Sequence, residues 1–429
     1  MFIYTAKKGE TLTTIAKQVG TTAARLQELN QTVSNKLTAG INLLLPGPPS
    51  TLLPHTVGPK ETLTSIASTY QVPVYAIAGA NGLEATANLE IGQILFVPRV
   101  LTKKTAIETN GYLIPSATRE DEITIRHDQP LTYLTVFSYH VNENGTIEPL
   151  EDDHILALAK ATQTTPLLCL TNFDGNNFNS DLAHAVLVKP ALQQKITESL
   201  MNILHKKAFR GVNVDFEHLH PSDRPHYNAF LRLLRERLHQ AGYTLSIAMG
   251  PKTSDEPNAS WMGAFDYKTI GQIVDFLMIM TYEWGWVGGP PMAVAPLDQV
   301  KAVLDYATSI IAPSKILMGM ATYGYNWSLP DTPTNLATGI SPNKAQNVAI
   351  EKQVHVRFDP RSASPMFYYQ GAQNRHEVWY EDPKSMLIKM DLVISMQLRG
   401  ISFWVLGEPF PQLWHLVADT FSIKKSPPA

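Results

Sequence analysis

Cysteine is nearly absent: Cys169 is the single thiol in 429 residues. One thiol cannot close an internal disulfide, so no oxidising compartment is required. It sits in the apolar run PLLCLTNF, where a buried core thiol is expected rather than a nucleophile. Excess charge of one sign is also missing. The formal net charge of −3 leaves no basic footprint for nucleic acid or for an anionic membrane surface. No apolar run approaches the roughly eighteen residues of a membrane-spanning helix. The start MFIYTAKKGETLTTIAKQ lacks the apolar core of a secretion signal. With 44% hydrophobic and 17% charged residues the chain is globular, not disordered. Its length predicts two or three domains.

The first hundred residues repeat themselves. YTAKKGETLTTIAKQVGTTAARLQELN from Tyr4 matches HTVGPKETLTSIASTYQVPVYAIAGAN from His55 at an offset of 51. Each copy predicts a short strand, two helices and a short strand, with Thr11 and Thr62 as helix caps. Leu12, Ile15, Ala16 and Val19, like Leu63, Ile66, Ala67 and Tyr70, fall at helical spacing. The proline-rich PGPPSTLLP joins the copies. The paired copies resemble LysM modules, at residues 2–47 and 53–99. That resemblance implies binding of glycans containing N-acetylglucosamine, in a groove between the loop before the first helix and the loop after the second. It points to Gly9, Glu10, Thr11, Leu12 and Asn30 in the first copy, and to Glu61, Thr62, Leu63 and Asn81 in the second. A small protein-interaction repeat is the other reading.

From about Thr105 strands alternate with helices. Eight segments read as strands: IETNGYLIP, LTYLTVFSY, PLLCLTNF, GVNVDFE, YTLSIAMG, DFLMIMTYE, KILMGMATYG and GISFWVLG. Amphipathic helices lie between many of them, one opening at Pro190 and another running from a Ser222 cap to Gly242. The expected fold class is α/β, a closed (β/α)8 barrel over residues 104–424. A doubly wound open sheet is the alternative. Residues of about 325–385 contain the strand-like SPMFYYQ and HEVWYED and predict a small α+β insertion between strands seven and eight. SIKKSPPA reads as a solvated tail.

The fourth strand alternates Val212, Val214 and Phe216 with Asn213, Asp215 and Glu217. In a barrel the polar set faces inward, with Glu217 at the C-terminal end where barrel enzymes place their chemistry. Two buried carboxylates about 6.5 Å apart along a strand are costly unless hydrogen-bonded or sharing a proton. A face that is simply wet is the bland alternative.

FRGVNVDFE resembles the strand signature of family 18 glycoside hydrolases, Asp-Gly-x-x-Asp-x-Asp-x-Glu. MTYEW, at Met280–Trp284, resembles the family's sixth-strand element, and Trp404 in GISFWVLGE its tryptophan floor. Within the family the chain resembles spore cortex-lytic N-acetylglucosaminidases, which also pair LysM modules with the wording GVNVDFE and MTYEWG.

The resemblance implies substrate-assisted retaining hydrolysis, in which the sugar's own acetamido group acts as nucleophile. It implies Glu217 as general acid and then base, Asp215 as holder of the acetamido N–H, Tyr282 as a second acetamido partner and Trp404 as a stacking floor. Trp284, Glu283 and Tyr323 are further substrate-contact candidates at a barrel mouth crowded with aromatics, including Trp286, Tyr325 and Trp327.

Three residues depart from the family pattern. Arg210 replaces the first Asp and is expected to point outward. Asn213 replaces the second; it is expected to hydrogen-bond Asp215 without taking its proton. Glu283 follows Tyr282 where the family has Asp.

His218, His220 and His226 lack the helical HExxH arrangement, and His218 is expected to face away, so no metal is expected. Gly285, Gly288 and Gly289 do not form a phosphate loop. No cofactor is implied. The expected partner is peptidoglycan or another N-acetylglucosamine glycan, the expected state a monomer and the expected location a bacterial spore. A chitinase or a non-catalytic glycan binder is the alternative function.

Overall fold

A computed structural model describes residues 1–116, 118–127, 130–330 and 336–425. In the first repeat, strands Phe2–Thr5 and Asn42–Leu45 pair antiparallel around helices Leu12–Gln18 and Ala23–Asn30. In the second, strands Ser50–Thr56 and Ile94–Val100 pair around helices Leu63–Tyr70 and Val74–Ala80. The two first helices start alike. Thr11 and Thr62 each accept from the backbone N–H three residues on, and the hydroxyls of Thr14 and Ser65 return the bond. Such reciprocal capping satisfies two N–H groups that a helix cannot satisfy itself.

The barrel closes as the sequence predicts. Its strands are Thr105–Leu113, Tyr133–His140, Thr165–Thr171, Gly211–Asp215, Thr244–Met249, Phe276–Ile279, Ile316–Ala321 and Gly400–Trp404. All are parallel and in sequence order, and the eighth pairs back onto the first, Gly400 opposite Glu108. Closure leaves no open edge. The helix Pro190–Lys206 buries Ile196, Leu200 and Leu204 as its spacing requires. The next helix begins at Arg224 after a turn at Pro221–Asp223, later than the expected Ser222 cap.

Between the seventh and eighth strands, a five-stranded antiparallel sheet and the helix Pro342–Lys352 form the insertion. SPMFYYQ and part of HEVWYED are neighbouring strands in it. The expected tail SIKKSPPA is partly structured, because Phe421–Ile423 pairs parallel with Thr105–Ile107 at the start of the first barrel strand. Residues 426–429 of that tail lie outside the described residues.

The modules are not beads on a string. Ile15, Leu26 and Leu43 of the first repeat share one apolar core with Ala349, Val356 and Phe367 of the insertion. The helix Pro383–Ser395, leading into the eighth strand, holds both repeats. Asp382 accepts from Asn42 Nδ2 at 2.6 Å, and Asp391 accepts from Thr51 Oγ1 at 2.9 Å and pairs with Arg99. Lys384 Nζ lies 5.0 Å from the ring centroid of Phe96 and 4.4 Å from that of Phe358. Burial pushes its ammonium down to about 8.

Candidate active site

Inside the barrel the polar side chains below the site satisfy one another. Thr135 Oγ1 donates to Asn110 Oδ1 at 2.7 Å, and Asn110 Nδ2 to Ser402 Oγ at 3.1 Å. Asn213 belongs to this layer. Its Oδ1 accepts from Tyr112 Oη at 2.8 Å and its Nδ2 donates to Ser246 Oγ at 3.1 Å. The expected bond from Asn213 to Asp215 is not made. Successive inward residues of a strand stand one above the other, and the Asn213 amide turns sideways to neighbours on other strands.

One step above that layer the satisfaction stops. Asp215 ends the fourth strand, only 3% exposed, and its Oδ1 is buried with no hydrogen-bond partner. Native structures leave few buried polar atoms unpaired, and each costs about 1–3 kcal/mol, more when charged. Burial pushes the Asp215 carboxyl up from the ordinary carboxylate range. Glu217 lies two residues beyond the end of the strand rather than within it. Burial first, then the Asp215 and Glu283 carboxylates, hold its pKa well above the usual value. The pair therefore favours retaining a proton where free carboxyls have lost theirs.

Asn172, which the sequence reading missed, fixes Glu217 in place. Its Oδ1 accepts from the Glu217 N–H at 2.9 Å, and its Nδ2 donates to the Glu217 carbonyl at 2.9 Å. It is wholly buried just past the third strand. Its signal in the sequence was weak: an Asn immediately after an apolar strand run.

A cavity of about 790 Å³ opens over the carboxylates. Asp215, Glu217, Tyr282, Glu283, Trp284 and Trp404 line it, the size and mixed character of a ligand site. Trp404 is set edge-on to Tyr112 and Phe137, with centroids 5.4 and 5.0 Å away. Gly319 leaves room for Tyr282: a Cβ there would lie 2.9 Å from its ring and 2.4 Å from the Ile279 carbonyl.

Tyr323 is not on the cavity wall. Its hydroxyl donates to Glu283 Oε1, as does that of Tyr325 at 2.9 Å. Its hydroxyl holds Glu283, which does line the cavity. Trp286 lines the cavity, but Trp327 is fully buried, its Nε1 donating to the Gly289 carbonyl.

His218 does not face away. Its φ of +55° turns the chain after the strand ends, and its ring lies 5.3 Å from Trp261 on the cavity wall. Phe178 and Trp261 complete that side and were not foreseen. Cys169 is buried, and burial pushes its thiol up, as an inert core thiol requires. Arg210 is exposed. Among the described residues no cluster of three or more His, Cys, Asp or Glu is arranged to hold a metal ion, and no helix is long and apolar enough to cross a membrane.

The glycan residues expected in the repeats are less uniform than their sequence. Leu12 and Leu63 are core residues. Asn30 and Asn81 are structural. Asn30 Nδ2 donates to the carbonyls of Leu26 and Leu44 and its Oδ1 accepts from the Leu44 N–H, while Asn81 repeats this with Ile77 and Phe96. Each clips the second helix to the second strand, so neither side chain is free for a ligand. Thr11 and Thr62 are spent on capping. Glu10 accepts from Tyr4 and the Lys7 N–H, and Glu61 from the Gly58 N–H with His55 beside it.

The model of the glycosyl hydrolases of family 18 matches residues 108–408. The chain belongs to glycoside hydrolase family 18. The LysM domain model matches residues 4–46 and 55–98. This family 18 chain is 38% identical over 328 residues to the cortical fragment-lytic enzyme of Bacillus subtilis (strain 168), covering 75% of this chain and 76% of that one. It is 40% identical over 338 residues to the enzyme of the same name from Bacillus anthracis, covering 77% and 78%. The crystal structure of the Bacillus cereus spore cortex-lytic enzyme SleL matches with a TM-score of 0.84 at 37% identity, covering 99% of this chain and 98% of that one.

Proposed function

We propose that this family 18 enzyme hydrolyses β-1,4 bonds beside N-acetylglucosamine in spore cortex peptidoglycan, as an N-acetylglucosaminidase contributing to cortex breakdown in germination. The observation that carries the reading is the unpartnered Asp215 Oδ1, buried beside Glu217 in the cavity that Tyr282 and Trp404 also line. An acceptor left empty at that cost is suited to a substrate donor, here the acetamido N–H. The names of the relatives support cortex as the substrate and the spore as the location.

The steps follow from the protonation of the pair. Glu217, held protonated, gives its proton to the glycosidic oxygen as the bond to the anomeric carbon breaks. The acetamido carbonyl oxygen, steered by Asp215 and Tyr282, closes on that carbon and forms an oxazolinium ion. Asp215 stabilises its positive charge. Glu217, now ionised, takes a proton from water. The water oxygen opens the ring from the face the leaving group left, so configuration is retained. Holding the nucleophile within the substrate supplies proximity without a glycosyl-enzyme bond. Trp404 offers an apolar floor to the sugar ring.

Mass spectrometry of digests of purified cortex tests this. Fragments ending in reducing N-acetylglucosamine are expected, and none with Glu217→Gln. Release from chitin oligomers but not from cortex would favour the chitinase reading. Tight glycan binding without any release would leave a binding protein.

A further inference from the structure

The two LysM repeats share a sequence pattern but present different surfaces. In the first, the two loops that flank the expected groove are joined. Leu12 N–H donates to the Asn35 carbonyl at 2.9 Å, Leu37 N–H to the Glu10 carbonyl at 3.4 Å, and Thr11 bridges Lys36. Asn35 Oδ1 also accepts from the Thr13 N–H at 3.0 Å and from its hydroxyl. In the second repeat, among the described residues, no hydrogen bond joins residues 58–63 to residues 82–91.

The docking differs in the same sense. The insertion grips the second loop of the first repeat along its length. Asn343 and Asn347 donate to the Gln31 carbonyl, Val33 N–H donates to Asn347, Thr38 Oγ1 to the Val354 carbonyl at 2.7 Å, and Val356 N–H to the Ala39 carbonyl at 3.0 Å. The second repeat docks through its strands instead, at Thr51, Phe96 and Arg99.

The paired glycines show the contrast at one position. Gly40 and Gly92 have the same φ, +88° and +87°. A Cβ on Gly40 would lie 1.7 Å from the Val356 carbonyl oxygen, whereas one on Gly92 would meet nothing within 4 Å. Ile91, next to Gly92, is 72% exposed.

We infer that the second repeat alone engages the glycan, through the open groove between residues 58–63 and 84–91, and that the first is a brace whose groove loops are joined to each other and whose second loop is held by the insertion. The chemistry suits a strand bearing N-acetyl groups: loop backbone offers donors and acceptors to the acetamides, and Ile91 an apolar contact for a sugar face. This rests on the reading that the repeats bind the same polymer the barrel cleaves. It also fixes the glycan-holding surface relative to the barrel, since the strands of the second repeat are pinned to the helix Pro383–Ser395.

The test uses the full chain with Glu217→Gln, to prevent turnover, and co-sedimentation with purified insoluble peptidoglycan. Asn88→Trp, at an exposed position in the second loop of that repeat, and Ile91→Asp, also exposed, are expected to weaken binding at least tenfold. Lys36→Trp, at the position in the first repeat equivalent to Asn88, is expected to leave it within twofold. Loss with Lys36→Trp equal to that with Asn88→Trp overturns the division of roles. Unchanged binding in all three, with loss only on Trp404→Ala, overturns glycan binding by the repeats altogether.

Discussion

Two buried acidic clusters differ in one respect. Just before the helix that braces the modules, Glu381 is 1% exposed and accepts at both oxygens, 2.6 Å each from Lys389 Nζ, plus one bond from Ser385. Its neighbour Asp382 caps the helix through Ser385 and accepts from Asn42. In the barrel mouth Asp215 is as deeply buried, yet one oxygen has no partner and, among the described residues, no cation pairs with it or with Glu217. Burial alone does not mark a functional carboxylate. Burial with unmet bonding capacity on the wall of a cavity does, because the fold bears the cost of desolvation and leaves the compensation to a ligand.

That contrast is open to breaking, beginning with its largest expected effect. Glu217→Gln should lower kcat about 10²–10⁴-fold. It should also raise Tm at neutral pH. A carboxyl with a raised folded-state pKa is most favourable at low pH and loses stability as pH rises towards that pKa, a loss Gln does not share. The gain should therefore vanish below about pH 4, near the unfolded pKa; Tm measured from pH 3 to 8 checks it.

Lys389→Met should do the converse. It strands Glu381 and costs about 3–5 kcal/mol of stability, read by urea unfolding, while kcat per folded molecule stays unchanged.

Asp215→Asn should cut kcat about 10²-fold. It also removes a charge that raises Glu217, so the basic limb of the pH–rate profile should move to lower pH. Asn42→Ala leaves Asp382 short of a donor and should cost about 1–3 kcal/mol, with the pH profile unmoved. Smallest is Asn213→Asp, which should keep activity and move the basic limb to higher pH, by adding a carboxyl below Asp215. A limb that stays put would show the interior layer isolated from the pair.

Much of this was legible without coordinates. Strand-like segments interleaved with helical ones revealed the eight strands, and the repeat revealed two small modules with their capping threonines. Inward placement of Asp215 and Glu217 followed from period two. What was missed shares one cause. Asn172 acts on a carboxyl carrier 45 residues away, and Trp261 reaches His218 only because the strand stops at Asp215 and the chain turns. Asn30 and Asn81 looked like ligand residues by position, but each satisfies backbone groups of its own module that nothing else reaches.

The order of residues by itself determined which side chains share a face, because helix and strand periods are local. It determined where the first helix of each repeat starts, because a cap acts over three residues. Only the tertiary structure decided which polar groups find partners. Asn213 is satisfied by Tyr112 and Ser246 from other strands, while Asp215, two residues on, is left open to the cavity. It likewise decided that one of two similar modules is closed against the insertion and the other is not. Hydrogen-bond satisfaction depends on atoms within about 3 Å, and in a closed barrel those atoms come from distant parts of the chain.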